Sequence, residues 1–206
     1  MSADRLPYAH LNLRRNPFGE LDLDTRAELA VADVAELVLK LATPGQVVQL
    51  LGEGGRGKTT LLLALRAHFP GTPYVKIREG ERPRIPRSDP LFLDDAQLLS
   101  PRKRRRVFRR RVSFAIVSHV DLRAELEALG LRVTSVWPAA RLDAAALQRV
   151  FGLRVEAARR GPGRVPHVSR DTVLKLTRRH GEDVRAMELT LYEAVQRMRE
   201  VGDVEV

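Results

Sequence analysis

The sequence predicts an α/β protein: a parallel five-stranded sheet flanked by helices, followed by a small three-helix domain. Three observations predict it. Short apolar runs alternate with helical patterns between residues 25 and 139, the signature of a sheet covered by helices on both faces. A glycine-rich segment, Gly52 to Thr59, joins the first apolar run to a leucine-rich helix. Beyond Asp143 the strand signal disappears and three helical patterns follow.

Each element has a local reason. Residues 1–24 form an irregular N-terminal segment, with turn chemistry at Asn16-Pro17 and Gly19. Thr25 to Leu41 reads as one helix because Leu29, Ala32, Val34, Leu37, Val38 and Leu41 recur at three- and four-residue spacing, and Pro44-Gly45 stops it. Val47–Leu51 is the first strand and Thr59–Phe69 the helix after it. Tyr74–Ile77 is a weaker strand. The 13 residues that follow contain Pro83, Pro86 and Pro90, barely enough chain for a crossover, so this strand and its helix are expected to be abbreviated. Leu91–Leu93 is a buried strand ending in Asp94, Ser100–Arg111 a helix, and Ser113–Ser118 the fourth strand. A short helix, Leu122–Leu129, closes on Gly130, and Val133–Val136 completes the sheet. The domain boundary falls near 139, giving a core over 25–139 and a helical domain over 140–206 with helices at Asp143–Arg160, Ser169–Arg179 and Asp183–Arg199. Asp143 and Ser169 are of the residue types that cap helix N-termini.

Composition narrows the function classes. The 206 residues contain no cysteine, which excludes a disulfide framework, thiol catalysis and Cys-built zinc sites. Five scattered His offer no metal-ligand spacing. The longest charge-free stretch, Leu41–Gly52, has 12 residues, too few to cross a bilayer, so no membrane partner is expected. Asp4 and Arg5 stand where a secretory signal would be apolar. A soluble cytoplasmic protein is the expectation.

Gly52-Glu-Gly54-Gly55-Arg56-Gly57-Lys58-Thr59 satisfies G-x-x-x-x-G-K-[ST] at every fixed position, directly after a strand and before a helix. The glycines let successive N–H groups face one anion, and the following helix adds its positive end. Lys58 is placed to reach the β- and γ-phosphates, Thr59 to ligate Mg²⁺, and Thr60 follows in the same first turn. With Gly at about 7% of residues, the bare pattern arises by chance in roughly one chain in a hundred of this length. The strand–helix setting lowers that further. This is a phosphate loop, and ATP with Mg²⁺ is the expected ligand.

Leu91-Phe-Leu-Asp94-Asp95-Ala-Gln97 delivers two carboxylates at a strand's C-terminal end, where parallel sheets bind ligands. Asp94 is suited to hold Mg²⁺ and Asp95 to polarise an attacking water; the alternative is a pair of solvated acids opening a helix. The next strand ends in Ser118-His119, and His119 or Ser118 is placed to hydrogen-bond the γ-phosphate or that water.

The order of phosphate loop, Asp-Asp-Ala-Gln at a strand end, polar strand tip and helical lid resembles the AAA+ ATPases. It is most similar to the branch containing origin-recognition ATPases and bacterial secretion and transposition helper ATPases. Asn16-Pro17-Phe18 looks like that bacterial branch too, and the resemblance covers residues 10–200. It implies an ATPase whose helical domain is a lid over the nucleotide. Gly181-Glu-Asp-Val-Arg185 is similar to the lid's Gly-x-x-x-Arg segment, which makes Arg185 a second γ-phosphate sensor. Arg132 occupies the place of the arginine finger, which reaches the nucleotide of a neighbouring subunit and so implies a homo-oligomer. The family usually has Glu where this chain has Asp95, one methylene shorter. A misplacement of roughly an ångström costs about 10²-fold, so slow hydrolysis or a nucleotide-held switch is expected. The chain runs on only briefly past the lid, so the winged-helix DNA-binding module of some relatives is not expected.

Arg102-Lys-Arg-Arg-Arg106 and Arg109-Arg-Arg111 place eight positive charges in ten residues of a chain whose net charge is +10. Val107 and Phe108 alone interrupt them, to pin one side of a helix. Like charges at i, i+4 repel. Nucleic-acid phosphate over Arg102–Arg111 is the leading compensating anion, with an acidic protein or plain solvation as alternatives, and no aromatics interleave to stack bases.

Three classes therefore stand: an ATPase, a nucleotide-dependent adaptor with little turnover that recruits a protein partner, and a small-molecule kinase. The proline-broken link leaves little room for a kinase's acceptor pocket and arginine-bearing lid. No Asn-Lys-x-Asp guanine-recognition segment supports a GTPase, and no Leu-Ser-Gly-Gly supports a transporter ATPase.

Overall fold

The computed structural model describes residues 7–31, 33–138 and 143–206. The chain divides into two compact units: a sheet unit, Arg26–Ala139, and a helical unit made of Met1–Thr25 with Ala140–Val206. The expected boundary at 139 and the helix position Ala32 lie outside the described residues.

In the sheet unit, β1 (Gln46–Leu51), β2 (Tyr74–Lys76), β3 (Leu91–Asp94), β4 (Phe114–Ser118) and β5 (Arg132–Val136) form one parallel sheet in the order β2-β3-β4-β1-β5. Alternate side chains go to opposite faces. Val48, Leu50, Phe92, Ala115 and Val117 pack beneath α2 (Ala35–Leu41) and α3 (Lys58–Ala67). Val47, Leu91, Leu93, Phe114 and Ile116 pack with α4 (Pro101–Phe108) and α5 (Arg123–Glu127), where Phe108 meets Phe114 edge-on at 5.2 Å. Val107 and Phe108 are buried, so the two apolar residues in the arginine run do anchor its helix.

The order explains where a ligand belongs. From β1 the chain passes through α3 to the β2 side, whereas from β4 it passes through α5 to β5 on the other side. Neighbouring strands whose connections diverge leave a crevice beyond their carboxyl ends. The glycine-rich loop follows β1 there, the Asp94-Asp95 pair lies at the end of β3, and His119 follows β4.

One expectation needs correction, and one, the abbreviated second strand, is met. The helix read over Thr25–Leu41 is two helices, α1 (Leu23–Glu28) and α2. Asp33 Oδ1 accepts the Ala35 N–H at 3.1 Å, which competes with helical bonding and restarts the helix. β2 is only three residues long, and no helix lies between it and β3, so the proline-rich stretch is an irregular crossover.

The helical unit contains α6 (Ala144–Ala157), α7 (Arg170–His180) and α8 (Val184–Arg197). Asp143, Ser169 and Asp183 cap them, accepting from Ala146, Thr172 and Ala186 N–H. The N-terminal segment is part of this unit's core: Leu11, Leu13 and Phe18 are buried with Phe151, Leu176 and Leu191. Arg154 fixes it, donating to Pro17 O (2.9 Å) and Gly19 O (2.6 Å) while paired with Glu188 at 2.5 Å. Asn16 accepts from Phe18 N–H and donates to Tyr192 O, so Asn16-Pro17-Phe18 has a packing role here.

Candidate functional site

The loop after β1 has the conformation its glycines permit. Gly55 and Gly57 have φ of 77° and 75°, in the left-handed region that side chains avoid. A Cβ on Gly54 or Gly57 would meet nothing within 4 Å, so open space adjoins the loop backbone. Gly57 caps α3, and Lys58 and Thr59 are its first residues. Lys58 is buried and arches back over the loop, donating from Nζ to Gly52 O (2.7 Å) and Glu53 O. Arg56 pairs with Glu53 at 2.8 Å. Thr60 is half-buried in the first turn of α3.

Asp94 meets this loop directly. Thr59 Oγ1 lies 3.1 Å from its Oδ2, and the carboxylate is only 1% exposed. A buried carboxylate needs donors, and the structure adds two that the sequence did not announce. Tyr74 donates its phenol to Asp94 Oδ2 at 2.7 Å, and Lys76 Nζ stands 3.9 Å away. Burial, then the Asp94 carboxylate, push the Tyr74 phenol well above its usual pKa, so the phenol stays a donor. Parallel pairing of Lys76 with Asp94 brings β2 beside β3; a partner 20 residues away across a register leaves no local sequence signal.

Asp95 turns away from its neighbour. Its φ of 61° is left-handed, and a 3-10 turn, Ala96–Leu98, follows it. Its Oδ1 accepts from Gln97 Nε2 (3.3 Å) and lies 3.5 Å from His119 Nε2. The structure thus brings Asp95 and His119 together. Ser118 Oγ instead donates to Val120 O and accepts from Val120 N–H, closing the strand tip.

A buried amide holds the His119 loop. Gln49, fully buried in β1, accepts from Leu122 N–H at 2.8 Å and donates to Asp121 (2.7 Å) and Ser135 (3.1 Å). The Arg123 N–H and then the Gln49 amide hold Asp121 below the usual carboxylate pKa. Sequence reasoning missed Gln49, although a lone polar residue inside Val-Val-Gln-Leu-Leu was the available signal.

The remaining site residues lie elsewhere. Arg132 opens β5 at the amino end of the sheet, the edge opposite the phosphate loop, where the Gln46 amide oxygen, oriented toward it, accepts from its guanidinium at 3.1 and 3.2 Å. Arg185 is exposed on the first turn of α8, in the helical unit.

The donor set fits one kind of metal. Among the described residues no three His, Cys, Asp or Glu side chains cluster as ligands. Thr59 and Asp94 supply two hard oxygens beside a phosphate cradle, as suits Mg²⁺, which keeps water and takes substrate phosphates as ligands. No protein-family model matches the sequence, and no curated protein matches it. No helix among the described residues is long and apolar enough to cross a membrane.

Proposed function

We propose that the protein is an ATP-binding ATPase of the AAA+ type, which uses Mg·ATP binding and slow hydrolysis to drive conformational change or assembly. The observation that carries this reading is the contact of Thr59 with buried Asp94 at the mouth of a glycine loop, at the divergence point of a parallel sheet. Gly52–Gly57 N–H groups and Lys58 hold the phosphates, and Thr59 and Asp94 hold Mg²⁺, which when bound neutralises charge on the phosphoryl oxygens. Tyr74 and Lys76 keep Asp94 oriented. Asp95 polarises the attacking water, with His119 steering the Asp95 carboxylate. Arg185 senses the γ-phosphate from the lid, and Arg132 reaches a neighbouring subunit's nucleotide in a homo-oligomer.

Calorimetry with ATP and Mg²⁺, beside a phosphate-release assay, tests this. Heat with ATP and steady phosphate release are expected; no heat with either adenine or guanine nucleotides defeats it.

One observation favours a second reading, an adaptor that holds ATP with little turnover and recruits a protein partner. Asp95 is short and turned toward Gln97 and His119. Asp95→Glu decides between them: a rise in turnover marks the parent as a switch, and a fall marks an enzyme already fitted to Asp.

A further inference from the structure

Seven of the eight basic residues over 102–111, all but Arg111, divide into two sets. Lys103 Nζ donates to Pro83 O, Arg110 to Pro86 O and Ile85 O, and Arg104 pairs with Glu125 at 2.6 Å. The Lys103 and Arg110 bonds lash the irregular crossover, residues 77–90, along α4, while Arg104 ties α4 to α5. Arg102, Arg105, Arg106 and Arg109 are exposed and have no carboxylate partner among the described residues. The lashing brings Arg84 of the crossover beside the arginines of α4. A groove results, lined by Arg84 from the crossover and by Arg102, Lys103, Arg106 and Arg110. A neighbouring depression is walled by Arg102, Arg105, Arg106 and Arg109 alone. No carboxylate lines either. Burial, followed by the neighbouring Arg87 and Arg106 charges, lowers the Arg110 pKa.

We propose that this groove binds the phosphodiester backbone of a nucleic acid without reading its sequence. Arg102/Arg106 within α4, and Arg105 with the C-cap Arg109, are i, i+4 like charges that destabilise the helix, so the surplus needs a polyanion. From Arg102 to Arg109 the chain advances about 10 Å, at about 1.5 Å per residue. A duplex carries about six phosphates over that length, enough to meet the exposed arginines of α4 together with Arg84. Guanidinium forks suit phosphate oxygens. An acidic peptide is the competing occupant, but peptide docking relies on apolar anchors. Here the apolar side chains at the groove, Ile85 and Val107, are almost wholly buried and offer a peptide little apolar surface. No aromatic side chain lines the groove, so bases find no stacking platform and recognition stays on the backbone.

The proposal stands apart from the nucleotide site and is tested without ATP. The full chain is titrated into a fluorescently labelled duplex of about two helical turns, with anisotropy read between about 50 and 200 mM salt. Duplexes of unrelated sequence are expected to bind alike, with log K falling against log salt at a slope of about −3 to −4. Arg102→Ala/Arg106→Ala weakens binding about tenfold and flattens the slope by about 2. Arg102→Lys/Arg106→Lys keeps the charge and stays within about threefold, which separates lost contacts from lost folding. An alanine pair that binds like the parent overturns the proposal. So does a poly-glutamate peptide that binds more tightly than the duplex.

Discussion

The mouth of the phosphate loop and the Arg154 clasp of the helical unit both bury a cation among carbonyl oxygens, yet they are built to different ends. In the clasp, Arg154 meets Pro17 O, Gly19 O and Glu188, with the Phe18 ring 5.8 Å from its guanidinium, so it joins segments more than 130 residues apart. At the loop, Lys58 donates to Gly52 O and Glu53 O, six and five residues back, beside backbone facing open space. The Arg154 bonds tie distant segments and hold the fold. The Lys58 bonds to its own loop lie where a ligand's phosphate can take their place.

Three substitutions sharpen that contrast. Lys58→Ala is expected to lower ATP turnover on the order of 10²–10³-fold with little change in Tm; phosphate release and a melting scan on one preparation check both halves. A large fall in Tm would place Lys58 with the clasp. Arg154→Ala leaves Glu188 and two carbonyls without their donor, and breaking such a pair costs about 3 kcal/mol. That is a Tm drop of about 6–12 °C, read by calorimetry; an unchanged Tm would remove the distinction. Tyr74→Phe deletes one donor to Asp94, and the Mg²⁺ concentration needed for half-maximal ATP binding is expected to rise about tenfold. Equal Mg²⁺ dependence in parent and variant would show that the phenol plays no part in orienting the carboxylate.

What the sequence displays and what it conceals follow from how far each interaction reaches. The five strands are legible because each is an apolar run bounded by turn residues, and Asp143 and Ser169 are legible as caps because their partners lie three residues on. The glycine-rich turn between β1 and α3 is legible because it is contiguous. Tyr74 and Gln49 are not, since their roles depend on strand neighbours far away in the chain. The two-helix break at Asp33 was hidden for another reason: apolar spacing continues through it, while one side-chain bond to Ala35 N–H interrupts the backbone. The place of Arg84 was invisible because the crossover meets α4 through its carbonyls, which accept from Lys103 and Arg110.

The brevity of β2 has a consequence for solubility. As an outer strand it exposes one margin of the sheet, and an exposed margin is a template on which another chain can add. Three residues give such a template little length, and the prolines beyond them lack the N–H groups to extend it. A protein whose inner strands are almost wholly apolar thereby guards that flank against self-association.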